Sequence, residues 1–510
     1  MKRLRALFLT LAASLLGLAA ANPLTFVLDT ISGRQLEAQA IADQLRAVGV
    51  NVEVRVWEWA VLQEEVLAGN RAAYTTDWGS AYFDPFDLAE PKLTTGGRGN
   101  YSFYENDRVD ELLRMASTTA DEGARLEAYF EVQDLIFEDA PWIYGYYLDS
   151  IEAASSAVGN WQPAMDSRIN LHRVTVEGDD TIVVGLRSDS LVTLDPANYR
   201  DRETETVIRN MFDGLVTRTH DGEVVPEIAE SWEQVDETTF DFTLREGVLF
   251  HNGDEMTADD VVFTFWRILE DGAIDGATSP RRGLLGPLES VEKVDDNTVR
   301  FNLSDPFPPF LQALVHFQIV PEGYLTEVGD AEFARNPIGT GPFVFVRGEL
   351  ESEIVLDRFD DYYGGAPDIE PVGTAQVERA IFRNMPEPAT RVSALLADEI
   401  HIAQAVPPDL VTRLEGEEGV EVLTTEGTRA FMIELNNAQP PFDDVRVRQA
   451  LNYAIDWEGI LEGIYLGYGA QLATAFLPSG FGFNPDLAPY PYDPERAAEL
   501  LQEAGYDAGN

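Results

Sequence analysis

The sequence predicts an α/β protein folded as two or more lobes, and three observations carry that expectation. The chain has 510 residues, well beyond the ~250–300 at which one hydrophobic core stops growing. Hydrophobic residues make up 45% and aromatic residues 10% of it, ample for several cores and too much for a disordered acidic tail. Residues 24–57 read strand, helix, strand, the βαβ unit of a parallel sheet.

The elements follow in order. Leu24 to Leu28 is an apolar strand. Leu36, Ile41, Leu45 and Val48 then share one helical face, closed by Gly49. From Asn51 to Trp57 the chain alternates, Val52, Val54 and Val56 against Glu53 and Arg55. Helical patterns at Arg108–Thr118 and Gly123–Phe137 end at Ala140-Pro141-Trp142. Val174–Gly185 is strand-like on both sides of the polar insert Glu177-Gly178-Asp179-Asp180, the best linker candidate in the first half of the chain. Thr257, with Asp260 three residues on, caps a helix through Leu269. Another helix starts at Asp443 or Asp444 and runs through Ala454. The last is capped by Asp493, with Pro494 in its first turn, and ends at Gly505. A helix with no following strand at one end and a strand with no preceding helix at the other would make a continuous α/β wind if Asn510 were joined to Asn22.

Charge and composition exclude several functions. The formal net charge is −53, which repels phosphate backbones and anionic lipid, so no nucleic-acid partner is expected. Cysteine is absent, removing disulfides, thiol catalysis, thiolate metal sites and a lipidated anchor. Only Lys2, Lys92 and Lys293 among the 36 basic residues are lysine; excess carboxylate with little lysine fits a salty habitat or a nucleotide bias. Lys2, Arg3 and Arg5 precede an apolar run from Ala6 to Leu18 and the small residues Ala19-Ala20-Ala21, the layout of a signal peptide over residues 1–21. A soluble periplasmic protein without a lipid anchor is the expectation. The five histidines show no ligand-like spacing, and no phosphate loop, nucleophile elbow or H-E-x-x-H helix is present, so no metal, cofactor or catalytic residue is assigned.

Several ordered blocks carry a resemblance. Pro226-Glu-Ile-Ala-Glu-Ser-Trp232, Thr239-Phe-Asp-Phe-Thr-Leu-Arg-Glu-Gly247, Phe250-His-Asn-Gly253 and Thr257-Ala-Asp-Asp-Val-Val-Phe263 resemble the signature of extracellular solute-binding protein family 5, the dipeptide, oligopeptide and nickel receptors of ABC importers. Asn336–Phe343, Val447–Asp456 and Tyr492–Leu501 follow the same pattern. These blocks stand in the order of the family's N-terminal two thirds, whereas residues 22–176 resemble its C-terminal third, with Asp77-Trp78-Gly79, Asn100-Tyr-Ser102 and Asp139-Ala-Pro-Trp142. The resemblance thus covers the mature chain with its parts exchanged, a circular permutation; a gene assembled from two neighbours is the competing reading.

The resemblance implies the two-lobed, type II periplasmic-binding-protein fold of the large peptide-binding kind. It places the first lobe at 146–432, with the ancestral termini joined at 176–181. The second lobe would combine 22–145 with 433–510, and hinges would lie near Asp139–Leu148 and Arg429–Asn437. It also implies a ligand site. Trp78 matches a pocket tryptophan, although a core role fits it as well. Peptide-binding members carry an aspartate for the ligand amine where this chain has Ala81, followed by Tyr82 and Phe83; Asp84 matches a structural turn residue. With that charge missing, Trp78, Tyr82 and Phe83 would favour stacking, on a capped or longer peptide or on a sugar. Arg429 could pair a ligand anion or form a surface ion pair, and Asn436 could bond ligand or cap a turn. The function implied is a monomeric receptor that closes on a small-molecule or peptide solute and delivers it to an ABC-importer permease. An oligosaccharide receptor is the alternative, with a carboxylate-based hydrolase and an envelope chaperone or sensor as more distant readings.

Overall fold

The computed structural model describes residues 22–507, and the signal-peptide assignment at 1–21 lies outside the described residues. Two mixed sheets organise the chain. The first has six strands, in the order Asn51–Trp57, Thr25–Ile31, Ala73–Gly79, Arg429–Leu435, Trp142–Tyr147 and Ala470–Gln471. Thr25–Ile31 pairs parallel to both neighbours, as a βαβ unit requires, but Arg429–Leu435 runs antiparallel to both of its own. Alternation along that strand explains its central place: Phe431, Ile433 and Leu435 enter one core while Ala430 and Met432 enter another. The sheet is therefore apolar on both faces, each covered by helices.

The second sheet has seven strands, with Thr181–Leu186 between Arg379–Asn384 and Ile402–Ala403, and Ser150–Ser155 beside Val420–Thr425 at its edge. A third, four-stranded antiparallel sheet spanning residues 229–303 packs with the Ala258–Leu269 helix around a phenylalanine-rich core. That helix begins at Thr257 with a capping box, Asp260 Oδ2 accepting from Thr257 N at 2.8 Å.

The chain crosses between the six- and seven-stranded sheets twice, at residues 148–149 and 426–428. The expected borders at 145/146 and 432/433, and the hinges at 139–148 and 429–437, fall largely inside strands. The reason is the ladder: Arg429 pairs with Gly79 and Ala430 with Tyr147, so pairing continues up to the crossing. The two crossing segments touch. A Cβ built on Gly427 would lie 1.8 Å from the Leu148 carbonyl oxygen, an approach only glycine allows.

Just before Thr25–Ile31 the first and last described residues meet. Asn22 N donates to Asp507 Oδ2 at 2.6 Å, and Asp507 N donates to Asn22 O at 3.2 Å. In the other lobe, Thr175–Val176 connects to Thr181–Leu186 through a tight turn in which Gly178 takes φ 81°.

Candidate functional site

A cavity of about 670 Å³ lies where the sheets face each other, walled by Arg34, Asp77, Tyr146, Arg429 and Phe431 from one lobe and by Glu152, Ser167, Arg187, Arg202 and Gln404 from the other. A recess of about 100 Å³ shares Arg200 and Arg202 with it and runs between Ala81 and Phe83 on one side and Arg168, Arg281 and His316 on the other. The volume and the two-lobe walls suit a small solute. A groove of about 600 Å³ along the Ala258–Leu269 helix takes its walls from one lobe only.

The segment after Ala73–Gly79 is held tightly. Ser80 Oγ accepts from Tyr82 N and Asp84 N, each at 3.1 Å, and Ala81 N donates to Asp87 Oδ2 at 2.6 Å. Burial pushes the Asp87 carboxyl up to about 6, although its hydrogen bonds from Ser80 and Ala81 pull the other way. So braced, the segment reaches into the opposite lobe. Ala81 O accepts from His316 Nε2 at 2.8 Å and from Arg218 Nη2 at 3.3 Å. Tyr82 is buried in the phenylalanine-rich core, edge-on to Phe307, and donates to Leu284 O at 3.0 Å. Phe83 lies under the Arg218 guanidinium, 4.6 Å from ring centroid to Cζ.

The expected aromatic stacking platform is thus not assembled. Tyr82 packs against protein, and Trp78 is half-buried away from the cavity, its Nε1 donating to Asp87 O and its ring 4.6 Å from Lys92 Nζ. Ala81 and Phe83 do line the recess. Arg429 lines the main cavity but is tied to the Asp77 carboxylate, which also takes Arg34. Asn436 sits at the far end of its strand from Arg429, buried, with Oδ1 accepting from Ala438 N at 3.2 Å, a turn cap. Asp84 is structural, pairing with Arg125 at 2.6 Å.

Sequence reasoning missed the cationic wall. Arg202 donates to Asp166 O at 2.8 Å and to Thr428 Oγ1, in the second crossing segment, at 3.1 Å; Arg200 donates to Pro280 O at 2.9 Å. Among the described residues neither has a carboxylate within ion-pair distance. Burial lowers the pKa of both; Arg281 lowers it further at Arg200, while at Arg202 Glu205 pulls it back up and Arg429 lowers it again. Behind them Glu205 gathers His316 at 2.9 Å and Arg168 at 3.1 Å. Burial alone would raise that carboxyl, but His316, Arg168 and Arg281 hold it well below the usual carboxylate range. The one sequence signal was Arg200-Asp-Arg202, two arginines in a strongly acidic chain, just before a helix capped by Asp201.

The model of the bacterial extracellular solute-binding proteins, family 5 Middle, matches residues 223–510. A dipeptide-binding protein of Escherichia coli is 33% identical over 309 residues, 56% of either chain. A glutathione-binding protein of Pectobacterium atrosepticum is 30% identical over 339 residues, 65% of this chain and 62% of that one. The aligned stretch therefore spans little more than half the length of these relatives. Among solved structures, HbpA2 from Haemophilus parasuis aligns with TM-score 0.57 at 29% identity, over 64% of this chain and 67% of that one. The periplasmic binding protein DppA from Helicobacter pylori, in complex with the peptide STSA, aligns with TM-score 0.51 at 28% identity, over 64% of this chain and 66% of that one. With more than half of its length matched, the chain belongs to the bacterial extracellular solute-binding proteins of family 5.

Proposed function

We propose that the protein is the solute receptor of an ABC importer, capturing a peptide-like solute between its lobes by hinge closure and presenting the closed form to a membrane permease. The observation that carries this reading is the cavity of about 670 Å³ walled by both lobes. Only two crossing segments need to absorb the motion, and a solute touching both lobes favours closure by its differential affinity for that state. The dipeptide- and glutathione-binding relatives support a peptide-like solute. Five arginines among the cavity walls weigh against a neutral oligosaccharide. The relatives are binding proteins, and capture needs no bond-breaking step. A periplasmic location is consistent with the family, and among the described residues no helix is long and apolar enough to cross a membrane.

The exchanged order of the blocks belongs to the same proposal. Contact between Asn22 and Asp507, and the tight turn at 177–180, support a permuted receptor. The test is a thermal melt with and without a pool of tripeptides. A true receptor gains stability, about 2.7 kcal/mol at a solute concentration 100 times Kd, and returns its solute chemically unchanged. Hydrolysis of the bound compound, or no gain with any pool, contradicts the proposal.

A further inference from the structure

Glu152 has no place in the closure described above. It is 1% exposed, lines the cavity, and its Oε2 is buried without a hydrogen-bond partner. Among the described residues neither carboxyl oxygen makes a hydrogen bond or an ion pair. Strand alternation puts it on the same face as Ala154, which packs into a hydrophobic core, so an apolar residue would fit the fold. A carboxyl group kept there is costly, and such a cost is characteristic of a binding site.

The other cavity carboxylates are at least partly engaged or open to water. Asp77 is held by Arg34 and Arg429, and Glu203 by Arg187. Asp201 caps a helix through Oδ1, which accepts from Thr204 N at 2.8 Å, and its buried Oδ2 is left without a partner, but unlike Glu152 it has one oxygen engaged. Asp149 lines the same cavity and is half-exposed. The Ala81 carbonyl is used by His316 and Arg218, so the segment around it offers a solute amine nothing. Arg200 and Arg202, on the same lobe as Glu152, have no carboxylate within ion-pair distance among the described residues.

We infer that Glu152 is the partner of the solute's ammonium group, while Arg200 and Arg202 take its anionic end. This assignment rests on the receptor reading above and adds to it where the amine is recognised: beside the 148–149 crossing, where binding bears directly on the hinge. Burial pushes the Glu152 carboxyl up to about 8, with Arg187 and Arg391 pulling it back, so the empty site holds it protonated at neutral pH. An arriving ammonium supplies three donors and the charge that favours the carboxylate.

The experiment titrates the full chain at pH 7 with three random tripeptide pools, one with free ends, one N-acetylated and one C-amidated, reading the thermal shift. The free pool is expected to stabilise the protein most, and both blocked pools to bind more weakly. Glu152→Gln should bind the free pool roughly tenfold more weakly or worse, and should discriminate less between the free and acetylated pools. Its empty form should melt no lower than the wild type, because a neutral amide replaces a costly acid. An acetylated pool that binds the wild type as well as the free pool overturns the assignment without need of any variant. So does wild-type affinity of Glu152→Gln for the free pool. If no pool binds at all, the peptide-receptor reading fails, and this assignment falls with it.

Discussion

Single residues explain why the tryptophan expected in the pocket is elsewhere. Lys92 and Glu434 are both 1% exposed and form an ion pair, with Tyr74 donating to Glu434 at 2.6 Å. The Trp78 ring covers that ammonium at 4.6 Å. Lys92→Met should cost about 3–5 kcal/mol, read by urea denaturation, because it leaves the Glu434 carboxylate buried and unpaired. Glu152 gives the opposite sign. Its folded pKa of about 8 stands above the unfolded value, so between about pH 5 and 8 the folded state holds a proton that the unfolded state has lost. Stability then falls with rising pH by up to about 1.4 kcal/mol per unit from this group. Subtracting the Glu152→Gln curve from the wild-type curve should show that slope, and parallel curves would refute it. Neither behaviour was legible in the sequence. A buried carboxyl differs from an exposed one only in its surroundings, and in a chain with 89 acidic residues no pattern picks Glu152 out.

At the scale of elements, local chemistry was readable and long-range pairing was not. The strand Asn51–Trp57 and the capped helices beginning near Thr257, Asp444 and Asp493 stand where periodicity and caps place them. Leu36, counted on the apolar helix face, is instead 71% exposed, since the helix buries Ala38, Ile41, Ala42 and Leu45. Val56 is also exposed, because Asn51–Trp57 is the edge strand of its sheet. The antiparallel insertion of Arg429–Leu435 could not be read from its own residues, since a doubly buried strand looks alike in either direction. That insertion sets the crossings. Gly427→Ala should therefore destabilise the protein by about 1–3 kcal/mol and weaken solute binding, because its Cβ would force the two crossing segments apart. An unchanged melt would show that the segments do not press on each other.

For the whole molecule, the proposed exchange of sequence blocks is compatible with two α/β lobes and a cleft between them, since packing depends on which elements meet and not on where the chain is cut. A rearranged chain running 181–507 and then 22–176, with a short linker from Asp507 to Asn22, should fold with the same circular dichroism and bind the same pool. Failure to fold would argue against permutation. Closure itself can be read cleanly because the chain has no cysteine. Leu36→Cys and Val192→Cys, at positions 71% and 58% exposed, place one spin label on each lobe. Pulsed electron paramagnetic resonance, with and without the free tripeptide pool, then gives the distance between lobes. Closure on a solute should shift a longer, broader distribution to one shorter, narrow distance, with the peptides recovered intact. Peptides that bind and leave the distribution unmoved would contradict capture by closure.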